Sequence, residues 1–349
     1  MCYFRIMGSS LVHKGINYTV GLNYVGEGCT RDIWRTELVE QELRVIRDEL
    51  HCTAVNVYGT EVPRLVEAAT IALSLGLDVW LQPRLYDVDA AETLDHLADA
   101  ARAAERLRAR HPERVVLNVG CEYSLYTDGI IPGEDAAAKG LPLGSPRWWP
   151  VLPLFNQRLN FLLANAAAVA RANFTGPLTY GAGLWEQVDW TLFDIVGSNY
   201  YRHEHNEANY RQGLRRLHRH GKPVAVLEFG CGGYRGAEKD GPRAQRLVTW
   251  DASAHTSVRE SAPPRDEAAQ ARYLADLIEL YAAEGVFAAF AFEFIQPASP
   301  HSPDPRLDLD RAGYTLVKVH AEDAELPYSS GHWEPKAAFH EVAKRYRAL

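Results

Sequence analysis

Apolar runs of strand length end abruptly in a glutamate twice in this chain, as Val115-Val-Leu-Asn-Val-Gly-Cys-Glu122 and as Pro223-Val-Ala-Val-Leu-Glu228. A Gly- and Tyr-rich irregular stretch follows each run. A charged residue at the end of a buried parallel strand lies at the edge of the apolar core, where active sites of such sheets are formed. The spacing from Glu122 to Glu228 corresponds to about three strand-plus-helix units, if a barrel spends roughly 30–40 residues on each unit. We therefore expect both carboxylates to face one cavity.

Strand-like runs alternate with helix-period segments along nearly the whole chain, which indicates βαβ units and an all-parallel sheet. An eightfold count favours a closed (β/α)8 barrel, the TIM-barrel architecture, over an open doubly wound sheet. No Gly-rich dinucleotide fingerprint follows the first strand, and no phosphate-binding Gly-Lys-Ser/Thr loop occurs in the sequence. The predicted strands are 15–22, 54–58, 77–82, 115–121, 178–181, 195–201, 223–228 and 286–294, and the predicted helical segments include 36–49, 61–75, 90–110, 154–172, 185–190, 207–220 and 334–346.

The sequence contains no linker-like tract, so we expect residues 1–349 to form a single barrel domain. Three segments that follow strands are too long to be plain connectors: 123–151, 230–264 and 297–333. Loops after the strands of such a barrel lie on its C-terminal face, where they form walls or lids of the substrate pocket. For residues 297–313, which are rich in Pro, Gly and Asp, simple disorder is the alternative.

The composition excludes several classes of partner. With 349 residues, 47% hydrophobic and 23% charged, the chain has ample material for a large core. Its net charge of −8 gives no electrostatic footprint for nucleic acid or for an anionic membrane. The N-terminus resembles no targeting signal and no apolar run reaches the length of a membrane span, so we expect a cytoplasmic protein. The oligomeric state is left open.

The five cysteines are odd in number and lack metal-ligand spacing, which favours reduced thiols and predicts no metal site. His203-Glu-His205 places two imidazoles beside a carboxylate, but a solvated loop is the better interpretation because no third ligand stands at helical spacing. We expect no metal or organic cofactor.

Paired carboxylates across a pocket are what glycoside hydrolysis requires: one protonates the departing oxygen, and the other attacks the sugar carbon or activates water. Arg84 stands at the end of the third strand, where it neutralises a catalytic carboxylate, binds substrate hydroxyls or makes an ordinary rim ion pair. Glu293 is a third strand-end carboxylate, with substrate contact and a structural ion pair both open. Of the four tryptophans in the expected top-face segments, we select Trp185 as a sugar platform; the others are Trp148, Trp149 and Trp250.

By these residues and by the order of its elements, the chain resembles the clan A glycoside hydrolases, which are retaining (β/α)8 enzymes. The resemblance implies that Glu122 is the acid/base at the end of strand four and that Glu228 is the nucleophile at the end of strand seven. The segment Asp194-Ile-Val-Gly-Ser-Asn-Tyr-Tyr201 is similar to the strand-six motif that places a tyrosine near the nucleophile. It implies that Tyr201 hydrogen-bonds Glu228 and that Asn199 belongs to the substrate-binding set.

Two departures from that family pattern bear on the substrate. The residue before the acid/base is typically an Asn that holds the sugar 2-hydroxyl, whereas this chain has Cys121, and a thiol is a poor replacement for an amide. Strand eight often ends in a Trp, whereas this chain offers Phe292-Glu293-Phe294. These departures leave a modified sugar or a repurposed scaffold open.

The sequence thus predicts a retaining glycoside hydrolase or transglycosidase whose partner is a small saccharide or glycosylated metabolite. Two alternatives stay open. One is a barrel enzyme of another class, a biosynthetic lyase or isomerase that uses the same glutamates with Cys121 for acid–base work. The other is a non-catalytic sugar-binding protein on a glycosidase scaffold.

Overall fold

The computed structural model describes residues 11–24, 28–249 and 256–349. Eight parallel strands form one sheet: β1 His13–Thr19, β2 Ala54–Gly59, β3 Asp78–Pro83, β4 Val115–Cys121, β5 Leu178–Gly181, β6 Val196–Asn199, β7 Val224–Phe229 and β8 Ala288–Ala291. Their order in the sheet is β5-β4-β3-β2-β1-β8-β7-β6. The sheet closes because Ala182, directly after β5, bridges Ser198 of β6 in parallel. The predicted (β/α)8 barrel is confirmed.

Helices follow seven of the strands and cover the outside of the barrel: α1 Thr36–Asp48, α2 Val62–Ser74, α3 Ala90–Arg110, α4 Leu152–Asn173, α5 Tyr210–Leu217, α6 Glu267–Ala283 and α7 Ala337–Ala348. Their buried faces pack on the strands around one apolar core. Within the described residues, none of these helices combines the length and the apolar character that crossing a bilayer would require.

The connection from β5 to β6 differs from the sequence prediction. The helical piece expected at 185–190 is a turn, followed by a single 3-10 turn at Trp190–Leu192. The reason is that side chains of α4 accept the backbone N–H groups of this segment: Asn156 Oδ1 accepts the Gln187 N–H and Asn160 Oδ1 accepts the Asp189 N–H, each at 2.7 Å.

Strand eight is also shorter than predicted. The ladder ends at Ala291: the Phe292 N–H still donates to the Phe229 carbonyl of β7 at 2.9 Å, but the Glu293 N–H donates to the Tyr314 carbonyl in the following loop at 3.2 Å. The expected helix at 207–220 is a two-turn α5 with 3-10 turns on either side. In both β8 and α5, residues that the local periodicity assigns to the strand or helix instead bond within a distant loop or form a 3-10 turn at its end.

The barrel interior is layered from apolar to polar. Trp80 and Phe290 fill its lower part with smaller side chains, their ring centroids 5.0 Å apart. Gly15 leaves the room that Phe290 occupies, since a Cβ there would lie 2.3 Å from its ring. Above them lies an amide layer in which Asn56 donates to Asn17 at 2.6 Å and to Gln82 at 3.1 Å. The charged residues therefore stand above a filled, hydrogen-bonded floor.

The long loops after β4, β7 and β8 are folded where the structure describes them. The first contains the short helices Tyr123–Tyr126 and Ala136–Leu143. The Pro-, Gly- and Asp-rich stretch at 297–313 is ordered by ion pairs, because Arg265 contacts Asp308 at 2.6 Å and Asp310 at 2.9 Å. The disorder considered for this stretch is therefore wrong.

A buried ion pair ties the loop after β8 to the first unit of the barrel. Arg31 and Glu42 lie 2.6 Å apart, and both side chains are fully buried. The Tyr18 and Tyr328 hydroxyls also donate to Glu42, at 2.5 and 2.9 Å. The carboxylate thus has two neutral donors and one cation, which compensates its loss of hydration.

We expect the substitution Glu42→Gln to lower the free energy of unfolding by about 3–5 kcal/mol, because it leaves the Arg31 guanidinium buried without its counter-charge. Urea titration followed by circular dichroism measures this change. The matched control is Glu40→Gln on the same helix, where the half-exposed carboxylate pairs with Arg44 and the expected loss is below about 1 kcal/mol. Equal losses for the two variants would contradict the prediction.

Candidate active site

Glu122 follows β4 directly and adopts a left-handed backbone conformation, with φ of 43° and ψ of 47°. Few residues other than glycine adopt this conformation, and those that do cluster at functional sites. Its side chain is half-buried, and Oε1 accepts the Asn199 amide at 2.9 Å. Burial, with the neighbouring charge of Glu228 as the next contribution, raises the pKa of Glu122 to about 8. Glu122 is therefore a carboxylic acid at neutral pH.

Glu228 lies on β7 and is buried, yet it has three donors. Arg84 Nη2 contacts Oε1 at 2.5 Å, and the Tyr201 hydroxyl donates to Oε2 at 2.9 Å. The Cys121 thiol lies 3.7 Å from Oε1. A guanidinium and a phenol are thus directed at the two oxygens of this carboxyl group.

The two glutamates are linked through the side chains of Asn199 and Cys121. Asn199 donates both to Glu122 at 2.9 Å and to Cys121 Sγ at 3.3 Å, and Cys121 in turn contacts Glu228 at 3.7 Å. These successive contacts keep the two carboxyl groups within about 10 Å of each other, which includes the separations of ~5 Å and ~6.5–9.5 Å used by retaining and inverting glycosidases.

The Arg84 guanidinium is positioned by Gln82 and by the ring of Tyr58. Its Nε and Nη2 both donate to Gln82 Oε1, at 3.0 and 2.6 Å, and its guanidinium stands 4.2 Å over the ring of Tyr58. Gln82 belongs to the amide layer and donates to the Gly120 carbonyl at 3.2 Å. Arg84 thus pairs with the Glu228 carboxylate, and both side chains are buried.

Cys121 lies between the glutamates and is buried. Burial raises the pKa of its thiol well above the ordinary value, in spite of the opposing charge of Arg84. The group is therefore a neutral thiol at physiological pH, which is unfavourable for an acid–base or nucleophilic role.

Glu293 follows β8 and lies near Arg84 and Glu228, whose charges both act on its carboxyl group. The Tyr58 hydroxyl donates to its Oε2. Burial raises the pKa of Glu293 to about 8, although the hydrogen bond from Tyr58 and the charge of Arg84 oppose this rise. The carboxyl group is thus mostly protonated at pH 7 and is held by a neutral partner.

Trp185 lies in the β5–β6 connection and is half-buried. Its indole N–H donates to Ser124 Oγ at 2.9 Å, and Ser124 donates to Glu186 at 2.5 Å. Burial raises the pKa of Glu186, and the charge of Glu186 contributes to the raised pKa of Glu122. Trp185 and Glu122 are thereby part of one polar cluster.

The other three candidate tryptophans are not placed at this cluster by the structure. Trp148 and Trp149 are exposed to 36% and 59%, and Trp148 lines a surface cavity of about 490 Å³ with Phe155 and Arg158. Trp250 lies outside the described residues.

In the loop after β6, Glu204 contacts His205 at 3.3 Å and Arg243 at 3.0 Å, which agrees with the solvated-loop interpretation of His203-Glu-His205.

Several residues around the glutamates were not singled out from the sequence. Tyr58 and Gln82 stand at strand ends, as Glu122 and Glu228 do, so the same criterion applied to every strand identifies them. No sequence pattern identifies Glu186, because it lies in the irregular β5–β6 connection rather than at a strand end. Its contact with Ser124 is formed only in the folded protein.

Comparison with solved structures supports the same architecture. A GH113 β-1,4-mannanase superposes with a TM-score of 0.60 at 15% sequence identity, covering 97% of this chain and 99% of the mannanase. The GH113 β-mannanase of Alicyclobacillus acidocaldarius, solved in complex with ManMIm, gives 0.59 at 15% identity, covering 97% of both chains. A β-glucuronidase of Bacteroides uniformis gives 0.57 at 15% identity, over 96% of this chain and 35% of the glucuronidase.

Identities this low establish the fold, and the resemblance to the glycoside hydrolase barrels is confirmed at that level. No protein-family model and no curated protein matches the sequence.

Proposed function

We propose that the protein is a retaining glycoside hydrolase or transglycosidase that acts on a small saccharide or a glycosylated metabolite, with residues 1–349 as one catalytic domain. Glu122 is the acid/base and Glu228 the nucleophile. The observation that carries the proposal is the contrast between the two carboxyl groups: one is kept protonated beside another that is ion-paired with Arg84. The fold shared with a mannanase and a glucuronidase adds support.

In the first step Glu228 attacks the anomeric carbon while the bond to the leaving oxygen breaks, and Glu122 gives its proton to that oxygen. Asn199 occupies Oε1 of Glu122, which leaves Oε2 to carry the proton. Formation of the glycosyl ester removes the negative charge of Glu228. Because that charge contributes to the raised pKa of Glu122, the pKa falls in the intermediate and Glu122 becomes the base that activates water.

The test is a panel of aryl α- and β-glycosides, including mannosides, glucosides and glucuronides, together with manno-oligosaccharides. We expect turnover of at least one substrate, with the anomeric configuration of the first product retained by proton NMR. An inverted product would contradict the proposed nucleophile. Sugar binding without turnover of any substrate would favour the non-catalytic alternative.

Tyr201→Phe isolates the hydrogen bond to the nucleophile, since the ring stays and the hydroxyl is lost. A hydrogen bond to a charged group contributes about 1.5–3 kcal/mol, so we expect kcat to fall by roughly 10- to 150-fold with little change in KM.

The matched control for this substitution is Tyr314→Phe. The two rings are 6.2 Å apart, but the Tyr314 hydroxyl accepts the Ala244 N–H at 3.2 Å instead of contacting Glu228. Steady-state kinetics of the control should stay within a few-fold of the wild type. If both variants lose the same activity, Tyr201 has only a packing role.

A further inference from the structure

Two imidazoles and a carboxylate meet in the loop between β8 and α7, and none of them belongs to the group around Glu122 and Glu228. His320, His332 and Glu334 place one potential ligand atom each within 4.8 Å of the others. All three side chains are partly exposed. An ion from solvent therefore has access to them.

The local backbone explains why these residues come together. Residues Val317–Lys318 pair antiparallel with Glu334–Pro335, so that Lys318 lies opposite Glu334. The ladder ends with this pair; His320 stands two residues after Lys318, and His332 stands two residues before Glu334. Side chains two residues apart point to the same face of a strand. The imidazole rings are accordingly stacked, with centroids 5.8 Å apart and an interplanar angle of 29°.

The distances suit a tetrahedral ion. Glu334 Oε1 lies 3.1 Å from His320 Nε2 and 3.6 Å from His332 Nε2. Ligand atoms around Zn²⁺, with bonds of about 2.0–2.1 Å, are about 3.3–3.4 Å from one another in tetrahedral geometry. Small side-chain rotations are therefore enough to accept the ion.

The carboxylate is already oriented for this role. Lys318 Nζ lies 3.2 Å from Glu334 Oε2, which holds that oxygen and leaves Oε1 directed at the two imidazoles.

We propose that His320, His332 and Glu334 bind one Zn²⁺ ion, with water completing the coordination, and that the ion fastens the hairpin of the β8–α7 loop. Two imidazoles and a carboxylate are ligands that Zn²⁺ prefers. The fastened segment is coupled to the barrel mouth, because the Leu316 N–H donates to the Glu293 carbonyl at 2.9 Å. This site does not depend on the function proposed above.

The experiment uses the untagged full-length chain, stripped of metal with a chelator and dialysed. Titration with Zn²⁺ against a chromophoric chelator should give one ion per chain, and Co²⁺ should give the visible absorption of a tetrahedral site. We expect His320→Ala and Glu334→Gln each to weaken Zn²⁺ binding by more than about tenfold. Zn²⁺ should raise the Tm of the wild type and leave that of His332→Ala unchanged.

The matched control is His205→Ala, which removes an exposed histidine that also contacts a glutamate, at 3.3 Å from Glu204. Its Zn²⁺ affinity should equal that of the wild type. Glu334→Gln keeps the size of the side chain, so it remains informative if a histidine variant fails to fold. The proposal is overturned if the wild type takes up no Zn²⁺, or if Glu334→Gln and His205→Ala bind it equally well.

Discussion

Glu228→Gln is expected to reduce kcat on aryl glycosides by at least about 10⁴-fold while the protein remains folded, since loss of a nucleophile removes the whole reaction path. The amide keeps the shape of the side chain and still accepts the Tyr201 hydroxyl. It cannot form the glycosyl ester, and its contact with Arg84 loses the opposite charge. Burst and steady-state kinetics with an activated aryl glycoside measure the effect.

Glu293→Gln is the matched comparison, because it makes the same isosteric change at a second buried carboxyl group of the candidate site, the one that Tyr58 contacts. Since the pKa of Glu293 is raised to about 8, its carboxyl group is mostly neutral at pH 7, and the amide alters little charge. We expect an activity loss of at most about 100-fold, expressed mainly in KM. Comparable losses in kcat for both variants would remove the basis for assigning the nucleophile to Glu228.

Glu122→Gln is expected to slow substrates with poor leaving groups by about 10²–10⁴-fold, the usual contribution of a general acid, and to affect activated leaving groups far less in the first step. Added azide should restore turnover of an activated substrate, since a strong nucleophile needs no base to attack the glycosyl ester. The measurement is kcat/KM across a leaving-group series, with and without azide.

The pH profile gives a second expectation for Glu122. The acid must carry its proton, and its pKa is raised to about 8. The wild-type kcat/KM should therefore fall as the pH rises through about 8, and Glu122→Gln should lack this alkaline limb.

The control is Glu186→Gln, which removes a neighbouring charge that raises the pKa of Glu122. It should move the limb to lower pH without abolishing it. An alkaline limb that persists unchanged in Glu122→Gln would show that another group is the acid.

Sequence reasoning succeeded where local pattern and chain topology decide the outcome. The bounds predicted for the fourth strand, the fifth strand and the helix at 90–110 agree with those of β4, β5 and α3. It was less successful where distant groups intervene, as in the β5–β6 connection, where Asn156 and Asn160 of α4 accept backbone N–H groups of the segment expected to be helical.

The sequence by itself determined the barrel, and with it the meeting of Glu122 and Glu228 at one mouth. Alternating periodicity defines parallel strands, and their carboxyl ends lie on the same face. Contact between Tyr201 and Glu228 was expected from a motif and is observed.

Only the tertiary structure decided which glutamate holds a proton, and only it brought His320, His332 and Glu334 together. Burial and Coulomb interaction depend on distances through space between residues far apart in the chain, such as Arg84 and Glu228. Those distances exist only once the sheet has closed and the loops have packed over its mouth.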